Sequence, residues 1–457
     1  LRGVFRILLS AIPSVVKPVR RVSFTEKVFW TGVVLVIYLV MSEIPLYGLK
    51  VRPTDPLYYL RVIFASSVGT LMELGIGPIV TAGILLQLLV GVGLIKLDLS
   101  KPEDRSLFTS ANKFLAVVMT FIHAVAFTFR FRLPFQTTTI IIIQLMVAGT
   151  ILILMDELLQ KGWGLGSGIS LFIVAGTVKV IWWDLFSPAG PVADGKYHGV
   201  VLAYFQGLLQ GEGPLSVFFR GWGLPSVFSL LLTIITFAFF IYIENVNVNI
   251  PLVHSRFRGI KAGFPIKLLY VSVIPAIFAS ILIGNAIMLS QVLWSRFPDN
   301  QLVGLLGTFN ETNQQPTGGL AYYLVPPGAQ AIDLGRLGVY SLIFMVLCVV
   351  FSILWVQLSG MDSQSVARNL LRAGVRIPGY RHAERSIRML LDRYIPTVTI
   401  VSGIIIGAIV PLTDALYVFG GGIGVLLTVD ILYSYYQLLV RERLEEVYPS
   451  LASLLRR

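Results

Sequence analysis

Ten apolar runs, each close to the length that crosses a bilayer, constrain this chain more than any other feature. They fall at about 28–47, 76–95, 108–129, 136–158, 166–183, 225–243, 266–290, 338–358, 394–413 and 422–440. A helix needs about 20 apolar residues to span the hydrocarbon core. The backbone in lipid must satisfy its own hydrogen bonds, so each run predicts a helix. Composition agrees: 55% of residues are hydrophobic and 13% charged, where a soluble domain carries about 25% charged residues. The expected class is an all-α, polytopic membrane protein with ten transmembrane helices. An even number of spans places both termini on one side. Of the 36 Lys and Arg residues, 26 lie on that side, which makes it cytoplasmic. The long connections 44–75, 184–224 and 291–337 then face outward. The formal charge of +12 follows from this loop placement and predicts no base-specific recognition of nucleic acid. Expected divisions are an amphipathic cytoplasmic segment 1–24, an N-terminal half 25–183, an external connection 184–224, a C-terminal half 225–440 and a cytoplasmic tail 441–457. Five spans followed by five permit an inverted repeat.

The stretch Pro56–Gly93 departs from the simple pattern. It opens with an apolar piece too short to span, breaks at Gly69 and again at Gly75-Ile76-Gly77-Pro78, then continues as a hydrophobic helix. Non-helical backbone at membrane depth is tolerated only where protein or a water-filled cavity surrounds it. The break therefore points to an enclosed path.

Much chemistry is missing. The single cysteine, Cys348, excludes an internal disulfide and a cysteine metal site. The four histidines are scattered without an i,i+4 pair, so no metal or other cofactor is expected. There is no phosphate-binding GxxxxGK[ST], and Ser167 has no base near it in sequence. No catalytic residue is nominated, and an enzyme is not expected. Asp430 is the one clear carboxylate inside a run; Asp156, Glu157, Lys179 and Glu244 fall near run ends. Such scarcity argues against the rival reading of a secondary transporter for a small solute, which would show several charges on facing spans.

Glycine beside branched apolar residues remains. Ile76 and Val80 follow one glycine break at i,i+4, Ile169 and Ile173 follow another, and Leu427 follows a third. Small-residue helix packing explains the pattern. So does an aliphatic collar around a pore, which excludes water and ions by dewetting without selecting what passes. Two long basic loops, NVNVNIPLVHSRFRGIKAG and GMDSQSVARNLLRAGVRIPGYRHAERSIRMLLDRY, fit retention on the cytoplasmic face with contact to anionic lipid. Their length also fits docking of a large anionic partner, and the second has helix-compatible stretches on both sides of Ile377-Pro378-Gly379.

These residues resemble the SecY family, the central subunit of the protein-conducting channel. The resemblance is carried along essentially the whole chain by LGIGPIVTAGILLQLL (74–89), LDLSKPEDRSLF (97–108), GLGSGISLFI (164–173), IPLVHSRFRG (250–259), FPIKLLYVSVIPAI (264–277), GGLAYYLVPP (318–327) and GGGIGVLLTV (420–429). The 97–108 and 318–327 motifs look like the archaeal and eukaryotic branch. The resemblance implies two pseudo-symmetric five-helix halves around a central pore in the cell membrane. It implies a channel that conducts unfolded polypeptides and releases apolar segments laterally into lipid. A pore ring would fall on Ile76, Val80, Ile169, Ile173, Ile277 and Leu427. A plug helix at about Pro56–Ser67 would include Leu57, Tyr58, Tyr59, Leu60, Arg61, Val62, Ile63 and Phe64, held by apolar contact. A lateral gate between spans 2 and 3 and spans 7 and 8 would use Gln87 and Asn285, hydrogen-bonded across the closed gate. The ribosome would dock on Arg256, Arg258, Lys261, Arg376 and Arg381. Two small single-span subunits and a nascent or unfolded polypeptide complete the implied partners.

Overall fold

A computed structural model describes residues 13–447, apart from 21, 50–60, 63, 92, 96, 98–100, 130–132, 193, 222, 255–260, 311–314, 327–332, 373–374 and 377–382. Among the described residues, nine helices are long and apolar enough to cross a membrane. They are α1 (Phe24–Met41), α3 (Pro102–Phe129), α4 (Phe135–Leu158), α5 (Gly168–Phe186), α7 (Val227–Asn245), α8 (Ile274–Arg296), α11 (Leu334–Leu358), α13 (Ala383–Ala415) and α14 (Gly421–Val447). The tenth expected span is α2 (Gly77–Gly91), apolar but only 15 residues long. At 1.5 Å per residue it covers about 22 Å, less than the roughly 30 Å core, as the glycine break foretells. Short helices α6 (Val200–Leu209), α9 (Gln301–Leu306), α10 (Gly319–Leu324) and α12 (Ser363–Arg372) lie in the connections.

The chain packs as two units. One comprises 1–189, 283–325 and 427–457; the other comprises 190–282 and 326–426. This division by packing differs from the division by chain order into 25–183 and 225–440, because α8 and α14 each pass from one unit into the other.

In the first unit, Ser23 and Glu26 form a reciprocal cap that starts α1 after the basic N-terminal segment. Lys27 at that end pairs with Glu442 of α14 at 2.6 Å. Glu157 at the end of α4 gathers Lys113 at 2.7 Å, Lys161 at 2.8 Å and the backbone N–H of Val15. Residues 13–16 are thereby strapped to the middle of α3 and the end of α4. Leu46, Ala124, Phe127, Ile141 and Leu145 form a buried cluster between α3, α4 and the connection after α1.

In the second unit, α11 and α13 pack along their length. Gly407 allows this, since a Cβ there would sit 2.4 Å from the Met345 Cα. A further core joins Ile266, Val271, Val356, Ala367, Ile387, Leu391, Ile395 and Val398. Strands β1 (Asn247–His254) and β2 (Lys261–Lys267) form an antiparallel hairpin, and β5 (Val375–Arg376) adds to the outer edge of β1. A small ladder of β3 (Thr308–Phe309) and β4 (Pro316–Gly318) belongs to the first unit. The run expected at 266–290 is corrected by β2: its first residues finish the strand and turn, and the helix begins at Ile274.

Candidate functional site

The C-terminal part of the expected plug helix is folded onto the start of α2. Of that helix, Arg61, Val62 and Phe64 are described; Leu57, Tyr58, Tyr59, Leu60 and Ile63 lie outside the described residues. Arg61 and Val62 are helical and the chain then turns through Phe64 and Ala65. The Phe64 carbonyl accepts a 2.7 Å hydrogen bond from the Ile76 backbone N–H. Gly75 makes this approach possible: its φ is +53°, and a Cβ there would lie 2.0 Å from that carbonyl oxygen. The Ala65 carbonyl accepts from the Tyr38 hydroxyl at 3.0 Å, and Gly176 of α5 packs against the same residue. Tyr38 is itself stacked on Phe172, with centroids 4.9 Å apart.

An ion pair completes the seat. Arg61 Nη2 lies 2.7 Å from Glu73 Oε1, with side chains 13% and 3% exposed. Glu73 also accepts from the Gly69 N–H. The expected apolar contact is therefore joined by an ion pair and by backbone hydrogen bonds. A chain turning inside a protein must satisfy its carbonyls and N–H groups, and here Ile76, Tyr38 and Glu73 do so.

Beside this seat lies a cavity of about 100 Å³. Arg61 and Glu73, His123 of α3, and Asn285, Met288 and Gln291 of α8 line it. Asn285 Nδ2 donates to Thr81 Oγ1 at 3.4 Å. This corrects the expected Gln87–Asn285 bond: Gln87 stands six residues further along α2, about 9 Å of helix rise away. The α2–α8 polar contact thus forms near the break, beside the seated segment.

Five of the six candidate ring residues sit on four helices, and Ile76 immediately precedes α2. Ile76 is buried at the break, with half-buried Val80 one turn on. Ile169 and Ile173 stand one turn apart at the start of α5, Ile173 being buried. Leu427 is buried in α14, and Ile277 is half-buried in the first turn of α8.

Two buried carboxylates, one noted in the sequence only as lying near a run end and one passed over, hold helices carrying these residues. Asp156, near the end of α4, accepts from the Ile169 N–H at 3.1 Å, the Ser167 hydroxyl at 3.3 Å and Gln160 at 2.7 Å. Asp414, near the end of α13, accepts from the Gly422 N–H at 2.7 Å. Each carboxylate comes from the span before and satisfies N–H groups at the next helix start, where the dipole favours negative charge. Asp184 is buried too, whereas Asp430 is half-buried, so the picture of Asp430 nearly alone is corrected. The available signal was an acid closing one apolar run, 12 residues before the glycine that opens the next helix for Asp156 and 7 for Asp414.

The docking candidates divide in the same way. Arg256, Arg258 and Arg381 lie outside the described residues. Lys261 and Arg376 both occupy register positions opposite Val253, on either side of the central strand β1. Two loops more than a hundred residues apart thus meet in one sheet row. The alternation Asn-Val-Asn-Val-Asn-Ile announced β1.

The SecY family profile matches residues 70–436, and the plug domain of Sec61p matches residues 36–69. The protein transport protein Sec61 subunit alpha of Dictyostelium discoideum is 40% identical over 457 residues, covering 95% of each chain. A solved structure described as that of a protein conducting channel aligns with TM-score 0.81 at 36% identity, over 97% of this chain and 98% of the other. Sec61 in the canine ribosome-channel complex from the endoplasmic reticulum aligns with TM-score 0.78 at 36% identity over the same shares.

Proposed function

Because this chain belongs to the SecY family, we propose that its aliphatic collar and the seated segment before α2 work as the constriction and plug of a protein-conducting channel. The protein is embedded in the membrane and conducts polypeptides. The observation that carries the residue assignment is the bond between the Phe64 carbonyl and the Ile76 N–H. The plug segment grips the backbone of the first collar residue, so displacing one exposes the other. Ile76, Val80, Ile169, Ile173, Ile277 and Leu427 offer aliphatic surface and no hydrogen-bonding side chain. Such a ring slides over any sequence and dewets when empty. A polypeptide stalled in transit, carrying a thiol-reactive probe, is expected to crosslink to Ile173→Cys or Ile277→Cys in a Cys348→Ala background. Crosslinks confined to positions off the collar would relocate the constriction.

Asn285 and Thr81 serve as the gate's polar clasp in this reading. A hydrogen bond between membrane helices is worth about 0.6 kcal/mol, while one Leu favours lipid by about 0.3–0.6 kcal/mol. Asn285→Leu is therefore expected to shift the hydrophobicity threshold for lateral insertion by about one to two leucines. An unmoved threshold in an insertion assay would remove Asn285 from the gate.

Asp156 and Asp414 position the collar. Asp414→Leu removes a cap worth about 0.5–2 kcal/mol and is expected to raise ion leakage through the idle channel. Asp414→Asn keeps an acceptor and should leak less. Equal leakage from the two variants would make the carboxylate's hydrogen bond irrelevant to the seal. Their matching places at the ends of the fourth and ninth spans support the inverted repeat.

For partners, the sheet row of Lys261 and Arg376 gives the two basic loops a common root from which to meet the ribosome, with both termini on that cytoplasmic face. Two small single-span subunits and anionic lipid complete the proposed surroundings.

A further inference from the structure

The connection between α5 and α7 carries an apolar surface whose height relative to the bilayer can be read from its own contacts. Helix α6 has the sequence VVLAYFQGLL, with no charge in ten residues. One face, Val200, Ala203 and Gly207, is buried. Gly207 packs there against Val217, where a Cβ would meet it at 3.5 Å. The other face is bare: Phe205 is 59% exposed, Leu208 44% and Leu209 90%. At about 15 Å the helix is too short to span.

The charges of this connection all turn to each other. Between Ser187 and Pro225 the charged residues are Asp194, Lys196, Glu212 and Arg220. They form two ion pairs, Asp194 with Arg220 and Lys196 with Glu212. None is spent on the exposed face of α6.

The aromatic contacts set the level. The rings of Phe218 and Phe219 lie 6.1 and 6.2 Å from that of Phe228. Phe228 is the second residue of the membrane-spanning helix α7. It shares a stripe with Leu231 and Ile235, spaced i, i+3 and i+7, which are 45% and 61% exposed along the span. The lipid-facing stripe of α7 therefore runs without interruption onto half-exposed Phe218 and Phe219. An apolar face lying at this boundary gains by burial among the acyl chains.

We propose that the connection is a monotopic foot: α6 lies in the bilayer interface at the Val227 end of α7, with Phe205, Leu208 and Leu209 in the lipid. The occupant of the bare face is lipid because α6 packs on Val217, and the next two residues, Phe218 and Phe219, continue a surface already in lipid.

The test uses the full chain in phosphatidylcholine liposomes with Cys348→Ala as background. A nitroxide is attached to Leu209→Cys, to Phe205→Cys, or to Gly213→Cys at the exposed tip after α6. Relaxation by oxygen, which concentrates in lipid, is compared with relaxation by a water-soluble nickel chelate. The α6 labels are expected to favour oxygen over nickel, and the Gly213 label to favour nickel. Nickel access at Leu209 equal to that at Gly213 overturns the proposal. Shielding of the α6 labels from both reagents also overturns it, since protein would then cover the face. A variant that fails to elute as the parent protein does is replaced by Leu208→Cys, read against the same criteria.

Discussion

Replacing Glu73 by alanine should make the idle channel conduct ions. The carboxylate is almost fully buried, and Arg61 across from it is nearly so. Removing one partner of a buried pair costs about 3–5 kcal/mol, because the other charge stays behind without compensation. The cavity beside Arg61 has polar side chains in its wall and is large enough for water to solvate the orphaned guanidinium, so the expected penalty falls to about 2 kcal/mol, roughly thirtyfold in the population of the seated plug. The Gly69 N–H loses its acceptor at the same time, loosening the turn before the break. Single-channel recording of the reconstituted complex should show frequent openings without cargo, and Glu73→Gln should fall between variant and parent. A silent Glu73→Ala channel that still translocates would show that the pair does not hold the plug.

Arg220→Met should lower the thermal stability of the molecule substantially. The Arg220 side chain is completely buried. It donates to both oxygens of Asp194, at 2.7 and 3.1 Å, and to the carbonyls of Tyr197, His198 and Pro225 at 2.7, 3.0 and 3.1 Å. Methionine fills the volume but leaves these acceptors without a donor, a loss of about 3–5 kcal/mol. Partial burial alone would raise the Asp194 pKa, but the guanidinium beside it outweighs burial and holds the carboxyl below its usual value. A depressed folded value means stability that is present above the unfolded pKa, about 3.9, and lost as pH falls through the folded value. Thermal unfolding should therefore show a loss of stability below about pH 4 that is smaller in Arg220→Met than in the parent. Equal acid sensitivity would place the proton uptake elsewhere.

Helix positions were legible because length and apolarity leave a membrane chain few alternatives. Gly75, Gly77 and Pro78 announced the break in one local cluster. The hairpin β1–β2 was harder: its period-two signal is brief and sits inside a basic loop whose charge already had an explanation. The partners of Asp156, Asp414 and Asn285 were not legible, since each hydrogen bond joins different helices and depends on how far one slides along the other. A shift of six residues separates Thr81 from Gln87, and either could have faced Asn285 on composition alone. Glu73 was overlooked because an acid before a glycine break looks like an ordinary loop residue until its arginine is placed.

The sheet row shared by Lys261 and Arg376 makes one mechanical body of two loops. The hairpin strands are laced along seven- and eight-residue lengths, whereas β5 is tied to β1 over two residues. Tension on the hairpin tip is shared by a whole ladder, and tension on the second loop falls on a short seam. Under load that seam parts first, freeing the later loop to swing while the hairpin keeps its register.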